Sequence, residues 1–362
     1  MSSELLQLLA DYLAPRTAYV IVNGTASYAF TLQNMVYQGT VLGPSLWNVF
    51  FADVRNAAES TGGHEAKFAD DLNIYKLYSL SSTADQIFAD LHVCQNNVHN
   101  WGAANRVTFD PGKEEFCILH PADGIGNDFK LLGPIFDCKL TMAVTISKIL
   151  RKARPKLTTL LRTGRYYNTR ELVRQFKTHV LNILESSNGA IYHATATVLA
   201  PLDHVADSFI RDVGLTRETA LLEYNLAPTE LRRDIGMLGF LHKAALKQAH
   251  DDILALFPHA PDQAQRMHNT RLANRRHDRQ LLDRVRGFSD KICLDIFTRS
   301  IFGLVRVYNL LPQHWVSAKT VSSFQRLLTN AAKEACQRNI AGWESMFSPR
   351  VIPIKCLWTR LA

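Results

Sequence analysis

The spacing of apolar residues changes several times near the start of the chain. Residues 4–15 carry them at helical intervals and end at a proline, which predicts an opening helix. Two β-favouring runs, 19–22 and 27–32, flank Asn23-Gly24, a pair typical of two-residue hairpin turns. Helical spacing returns over 45–59, where Ser45 is the expected N-cap. The pattern predicts a helix, a hairpin and a second helix.

The middle of the chain mixes short strands with one long helix. Residues 66–78 are typical of two strands joined at a double aspartate, and helical spacing follows from about residue 82 to about residue 102. Strand-like runs at 116–120 and 129–133 flank a loop rich in proline, glycine and aspartate. From Thr141 onward the spacing is almost wholly helical. The expected fold class is α+β, with a small antiparallel sheet packed on helices.

Composition fits a globular protein of several domains. The chain has 362 residues, of which 47% are hydrophobic, and changes of pattern divide it into regions 1–140, 141–260 and 261–362. The six cysteines show no CxxC pairing and are expected to be reduced thiols. No secretory leader is evident, and polar residues interrupt the charge-free run 17–52. We expect an intracellular protein that is neither secreted nor membrane-spanning.

Charge is divided unequally along the chain. Residues 1–147 carry a net charge of −7 and residues 148–362 a net charge of +15. Seven cations fall in a segment without acids: Lys148, Arg151, Lys152, Arg154, Lys156, Arg162 and Arg165. A second basic cluster comprises Arg266, Arg271, Arg275, Arg276, Arg279, Arg284 and Arg286. Such density favours contacts with nucleic-acid phosphates, and the alternative is a solvated helix face.

The double aspartate Asp70-Asp71 is the main candidate for chemistry. Successive side chains of a strand point to opposite faces, so adjacent aspartates serve one site only where the chain turns sharply. Two carboxylates at a hairpin tip repel each other unless a divalent cation neutralises them, which makes the pair a plausible set of Mg²⁺ ligands. Taken alone, an Asp-Asp pair is more often an ordinary surface turn.

Neighbouring motifs change that assessment. The block 36–53, Val-Tyr-Gln-Gly-Thr-Val-Leu-Gly-Pro-Ser-Leu-Trp-Asn-Val-Phe-Phe-Ala-Asp, precedes Phe68-Ala69-Asp70-Asp71 and together they resemble the palm of non-LTR reverse transcriptases. Asn105–Lys113 and Phe129–Leu140 resemble the next palm motif and the primer-gripping motif, in the family's order. Residues 155–242 and 299–325 resemble less specific helical segments that follow the palm. The resemblance implies a partial palm, a helical thumb and a basic helical extension in the three regions.

The resemblance also implies roles for individual residues. Asp70 and Asp71 would bind the Mg²⁺ or Mn²⁺ ions of two-metal nucleotidyl transfer, and Lys113 would protonate pyrophosphate. Residues that would contact template, primer or incoming nucleotide are Gln38, Gly39, Phe68, Ala69, Leu132 and Gly133. The implied partners are an RNA template, a DNA primer and deoxynucleoside triphosphates, with the nucleus as the implied site of action.

Two departures from the family pattern affect the expected activity. The family's palm begins with a strand that bears another metal-binding aspartate, and this sequence lacks that strand ahead of residues 4–15. We therefore expect RNA-templated DNA synthesis by the isolated chain to be poor or absent. Tyr37 stands where the family commonly has proline, which is a tolerable change. The alternative is a non-catalytic, nucleic-acid-binding remnant of a retrotransposon; a metal-dependent phosphohydrolase would need further carboxylates and histidines.

Overall fold

The computed structural model describes residues 2–32, 39–260, 277–285 and 290–351. It separates into two compact units, Met1–Phe116 and Cys117–Ala362. Both units are built from helices and small antiparallel sheets, so the expected α+β fold class is confirmed. The assignment of palm, thumb and extension to regions 1–140, 141–260 and 261–362 stays a prediction.

The first unit opens with a helix and a long hairpin. Helix α1 is Ser3–Leu13, and the four short strands that follow are β1 (Arg16–Ala18), β2 (Ile21–Val22), β3 (Thr25–Ala26) and β4 (Phe30–Leu32). Strand β2 pairs with β3 and β1 with β4, both antiparallel. Asn23 and Gly24 at the tip both have positive φ, as a two-residue hairpin turn requires. The opening helix and hairpin are therefore confirmed.

The rest of this unit consists of three helices and a second hairpin. Helix α2 (Gly43–Phe50) passes through a 3-10 turn (Phe51–Asp53) into α3 (Val54–Glu59), before strands β5 (His64–Phe68) and β6 (Asp71–Tyr75) and helix α4 (Ala84–Asn105). The prediction that Ser45 caps α2 is wrong. The helix begins two residues earlier, because the fixed φ of Pro44 suits the first turn, and its N-cap Leu42 makes no side-chain hydrogen bond.

The second unit begins with two short hairpins and is otherwise helical. Its strands are β7 (Cys117–Ile118), β8 (Ile125–Gly126), β9 (Phe129–Lys130) and β10 (Ile135–Phe136), shorter than the sequence pattern predicts. Each sheet of the described residues has only two strands, where a single small sheet was expected. Short apolar runs without alternation define strand length poorly, which explains why the observed strands are shorter than predicted.

The helices of the second unit surround two apolar cores. The helices are α5 (Ala143–Arg162), α6 (Thr169–Phe176), α7 (Asn182–Glu185), α8 (Asn188–Ile191), α9 (Ala196–Asp212), α10 (Arg217–Tyr224), α11 (Thr229–Ala245), α12 (Asp251–Leu256), α13 (Lys291–Arg299), α14 (Ile301–Asn309), α15 (Gln313–Val316) and α16 (Val321–Gln337). One core includes Phe176 and Phe209, whose rings stack 4.1 Å apart, and the other includes Tyr308 and Phe324. None of the described helices is long and apolar enough to cross a membrane.

A buried polar network joins several of these helices. The hydroxyl of Tyr192 donates to Asp234 Oδ1 at 2.6 Å, and the guanidinium of Arg350 lies 4.9 Å from the Tyr192 ring. Next to Asp234, Arg233 donates to Asp203 at 2.8 Å. Burial raises the pKa of Asp234 to about 6, because the charged carboxylate loses its hydration. The folded chain therefore binds a proton at Asp234 more tightly than the unfolded chain does.

This shift predicts a pH dependence of stability. The stabilisation that protonated Asp234 provides is complete below the unfolded pKa of roughly 4 and is lost as pH rises through the folded pKa, a loss of up to about 3 kcal/mol. We expect the unfolding free energy of Asp234→Asn, relative to the wild type, to increase by this order between pH 4 and pH 7 in urea titrations. A constant difference across that range would contradict the assignment. Buried His242, whose pKa is lowered to about 4, has the opposite slope but affects both proteins equally.

Candidate active site

The double aspartate lies at the tip of the β5–β6 hairpin. The strands pair antiparallel from His64 opposite Tyr75 to Phe68 opposite Asp71, which leaves Ala69 and Asp70 as a two-residue turn. Ala69 has a φ of 55°, in the left-handed region that alanine rarely occupies. The predicted hairpin with both carboxylates at its tip is confirmed as local structure.

A tryptophan from helix α2 holds this tip. The indole Nε1 of Trp47 donates a hydrogen bond to the Ala69 carbonyl oxygen at 2.8 Å. The Trp47 ring stacks on Phe51 with their centroids 5.1 Å apart, and Phe51 is buried in the apolar cluster of this unit. Trp47 thus connects the Gly43–Phe50 helix directly to the turn that carries Asp70.

The strands below the tip pack against the same apolar cluster. Leu72 and Ile74 of β6 pack against the cluster that contains Phe51. The ammonium of Lys67, on β5, donates to the carbonyl oxygens of Phe51 and Ala52 at 3.3 and 3.2 Å. Hairpins are marginal alone, so these contacts account for the defined position of the tip within its unit.

The aspartate pair faces solvent. Both Asp70 and Asp71 are exposed, and the side chain of Phe68 beside them is 63% exposed. Among the described residues no third acidic, histidine or cysteine side chain joins the pair in a possible metal-binding group. Asp53, which ends the first quoted motif, is engaged elsewhere, because it accepts a hydrogen bond from Trp101 Nε1 at 3.1 Å. The described residues therefore offer a cation two carboxylates.

The other predicted site residues that the structure describes occupy exposed turns. Gln38 lies outside the described residues. Gly39 has a φ of 81° and open space where a Cβ would stand, so the backbone is accessible there. The Lys113 side chain is 84% exposed and its Nζ lies 3.5 Å from Asp110 Oδ2. Both Leu132 and Gly133, in the turn between β9 and β10 of the second unit, have positive φ.

The first basic cluster maps mainly onto helix α5. Buried residues of this helix, such as Ile146, Ala153 and Leu160, form one face. The cations at 151, 152, 154, 156, 162 and 165 are exposed, and Lys148 is half-buried. Within the described part of the chain none of the seven forms an ion pair with a carboxylate. These charges are available to a polyanion.

Described members of the second basic cluster have structural contacts. Arg279 donates to the carbonyl oxygens of Val316 and Ala318, and Arg284 donates to that of Ala255. The residues Arg266, Arg271, Arg275, Arg276 and Arg286 lie outside the described residues. Arg279 is half-buried and Arg284 is exposed, and nucleic-acid contact by this cluster, with a solvated face as the alternative, stays a prediction.

The sequence pattern did not indicate the role of Trp47. Its helical position marks it as apolar, but the hydrogen bond to Ala69 spans 22 positions and depends on how α2 packs against the hairpin. A signal was present, since an indole N–H that packs against other side chains usually finds an acceptor and a tight turn exposes carbonyl groups.

Comparison with known proteins finds similarity to a polymerase from a mobile element. The RNA-directed DNA polymerase from mobile element jockey of Drosophila funebris is 28% identical to this chain over 174 residues. The match covers 44% of this chain and 19% of the jockey polymerase, so the chain spans well under two thirds of that protein. No family model and no solved structure matches. The similarity supports a general relationship to non-LTR reverse transcriptases.

The role of Trp47 can be tested by its removal. Trp47→Phe keeps the ring stacking and loses the hydrogen bond, so we expect about 0.5–1.5 kcal/mol less unfolding free energy and faster amide exchange across 64–75. The matched control is Trp101→Phe, which loses the hydrogen bond to Asp53 and should leave exchange at the Asp70 turn unchanged. Equal exchange at this turn in wild type and Trp47→Phe would refute the anchoring role.

Proposed function

We propose that this chain is part of an RNA-directed DNA polymerase of the non-LTR retrotransposon kind. In this proposal it binds an RNA template and a DNA primer and adds deoxynucleotides by two-metal nucleotidyl transfer. The observation that carries it is the Trp47–Ala69 hydrogen bond, because it links two sequence motifs that resemble the same palm. The similarity to the jockey polymerase is independent support.

Asp70 and Asp71 are the proposed ligands of Mg²⁺ or Mn²⁺. Both ions prefer carboxylate oxygens, and Mg²⁺ sites commonly combine one or two carboxylates with phosphates of the substrate. An exposed tip suits this sharing, because a nucleoside triphosphate and the primer 3′-hydroxyl can approach it from solvent. The metal would neutralise the repulsion of the adjacent carboxylates and stabilise the charge that develops on the leaving pyrophosphate.

The remaining assignments follow positions in the motifs. Gly39 and Gln38 are proposed to lie along template and nucleotide, with Phe68 and Ala69 beside the metal pair. Lys113 is the proposed proton donor to pyrophosphate, and its side chain is 84% exposed. Leu132 and Gly133 are proposed to contact the primer strand, where the glycine allows close approach of a backbone.

Polymerisation needs a complete metal site, whereas nucleic-acid binding does not. Since the described residues supply two carboxylates and no third ligand, phosphoryl transfer by the isolated chain should be slower by orders of magnitude. The exposed cations of α5 do not depend on the metal site, so phosphate binding should persist. These observations also fit a second candidate function, nucleic-acid binding without polymerisation.

Metal binding at the tip is the first test. Mn²⁺ binding is measured with primer–template and deoxynucleotide present, whose phosphates complete the coordination shell. We expect Asp70→Asn and Asp71→Asn each to weaken Mn²⁺ binding by about tenfold or more, since a ligand is lost. The exposed acid Asp85 on α4 offers a matched control, and Asp85→Asn should bind Mn²⁺ as the wild type does. Unchanged binding in both tip variants would refute the proposed site.

Primer extension then tests whether the isolated chain polymerises. With Mg²⁺ and an RNA template, we expect the isolated chain to extend primers poorly or not at all. Robust synthesis that Asp70→Asn abolishes would confirm the polymerase and show that the metal site is more complete than two carboxylates. Robust synthesis that survives Asp70→Asn would contradict the assignment of that residue.

The α5 surface is tested through the salt dependence of RNA binding. Arg151, Arg154 and Arg162 lie at helical spacing opposite the buried face. Their replacement by glutamine should lower the slope of log affinity against log salt by about 2, since each single-strand phosphate contact contributes roughly 0.7. The exposed cations Lys243, Lys319 and Arg326 provide the control triple variant, whose slope should not change. An unchanged slope in the first variant would remove α5 from the binding surface.

A further inference from the structure

Three side chains with different metal-binding atoms meet in the second unit. A ring nitrogen of His120, a carboxylate oxygen of Asp290 and the sulfur of Cys293 all lie within 4.8 Å of one another. His120 follows β7, whereas Asp290 caps α13 and Cys293 lies in its first turn, so the cluster joins segments distant in sequence. No role in nucleotidyl transfer involves these residues.

The imidazole of His120 has an unused nitrogen. Its Nδ1 accepts hydrogen bonds from the backbone amides of Ala122 and Asp123 at 3.3 and 2.9 Å. Its Nε2 is buried and has no hydrogen-bond partner among the described residues. Buried polar atoms without partners are rare, and an absent ion is one of the accepted explanations. Nε2 is therefore the nitrogen left for a ligand.

The other two side chains already contact each other. Asp290 Oδ1 accepts from the Ile292 amide at 2.8 Å as the helix cap, and the carboxylate also accepts hydrogen bonds from the amide and the thiol of Cys293. The Cys293 sulfur therefore lies beside this carboxylate. A cation that binds sulfur would displace the thiol proton, so its affinity should increase with pH.

The donor set selects the metal. Thiolate, imidazole and carboxylate together suit zinc, whereas Mg²⁺ prefers oxygen ligands alone. Zinc bonds of about 2.0–2.3 Å in a tetrahedron place ligand atoms roughly 3.3–3.8 Å apart. Ligand atoms within 4.8 Å of one another need to approach by about 1 Å, which rotamer adjustments can supply.

We propose that His120, Asp290 and Cys293 form a zinc site that ties the loop after β7 to the start of α13. Water completes the tetrahedron, as in other zinc sites with three protein ligands. Coordination through Nε2 requires the imidazole proton on Nδ1, which then releases the amides of Ala122 and Asp123 and donates to the Asp123 carboxylate 3.4 Å away. Asp123 is thus a positioning residue for the metal-bound ring.

The test uses Co²⁺ as a spectroscopic probe on the full chain. We expect one equivalent of Co²⁺ to give a thiolate charge-transfer band that Zn²⁺ abolishes. Cys293→Ser should lose the band, whereas Cys138→Ser, a half-exposed thiol of the same unit, should keep it. Absence of the band from the wild type, or its persistence in Cys293→Ser, would overturn the proposal.

Thermal unfolding provides a measurement that does not depend on sulfur. Zn²⁺ should raise the unfolding temperature of the wild type and not that of Asp290→Asn, in which asparagine still caps α13. Asp123→Asn should weaken Co²⁺ binding about 10- to 100-fold while the band remains. Asp70→Asn should bind Co²⁺ at this site like the wild type, which separates the result from that of the hairpin tip. An equal Zn²⁺ shift in wild type and Asp290→Asn would contradict the assignment.

Discussion

The pairing of Phe68 with Asp71 is the constraint on which the candidate active site depends. It makes Ala69 and Asp70 the turn, and a register shift of one residue would send the neighbouring side chains to opposite faces. Two aspartates adjacent in sequence share one side of the molecule only because the chain reverses between them. Support comes from Leu72 and Ile74, whose packing keeps the hairpin in register.

The hairpin tip of the first unit and helix α5 of the second carry opposite charges. The hairpin tip concentrates negative charge where a divalent ion could neutralise it, whereas α5 presents cations without carboxylate partners among the described residues. A polymerase needs both features, because a metal activates the reacting oxygen while phosphate contacts position the strand. Binding to nucleic acid requires the second feature alone, so loss of catalysis need not abolish binding.

Local patterns in the sequence predicted local structure well. Asn23-Gly24 specified its turn because both positions need positive φ, and helical spacing from about residue 82 to about residue 102 predicted the long α4, Ala84–Asn105. Ser45 failed as a cap because Pro44 fixes the first turn of α2. The hairpin at Asp70 followed from strand periodicity, and the resemblance in the surrounding motifs indicated its chemistry.

Contacts between distant segments were not predictable in this way. Neither the Trp47–Ala69 hydrogen bond nor the approach of His120 to Cys293 leaves a spacing signal, because each depends on how whole elements pack. The scattered cysteines were expected to be buried reduced thiols, and only the fold brings His120 and Asp290 close to Cys293. The sequence predicted a chemistry for the Asp70-Asp71 motif and did not indicate which contacts hold that motif in place.

The left-handed backbone of Ala69 has a consequence for control of the site. An L-residue in this region carries a conformational penalty of roughly 1–2 kcal/mol, similar to the stabilisation from one hydrogen bond. Trp47 binds the carbonyl of that same residue, so its indole offsets the penalty where it arises. Because a two-residue hairpin turn itself needs positive φ, the penalty persists for as long as β5 pairs with β6, and loss of the indole hydrogen bond would leave it without compensation. The placement of the acidic tip therefore depends on an aromatic ring of a neighbouring helix.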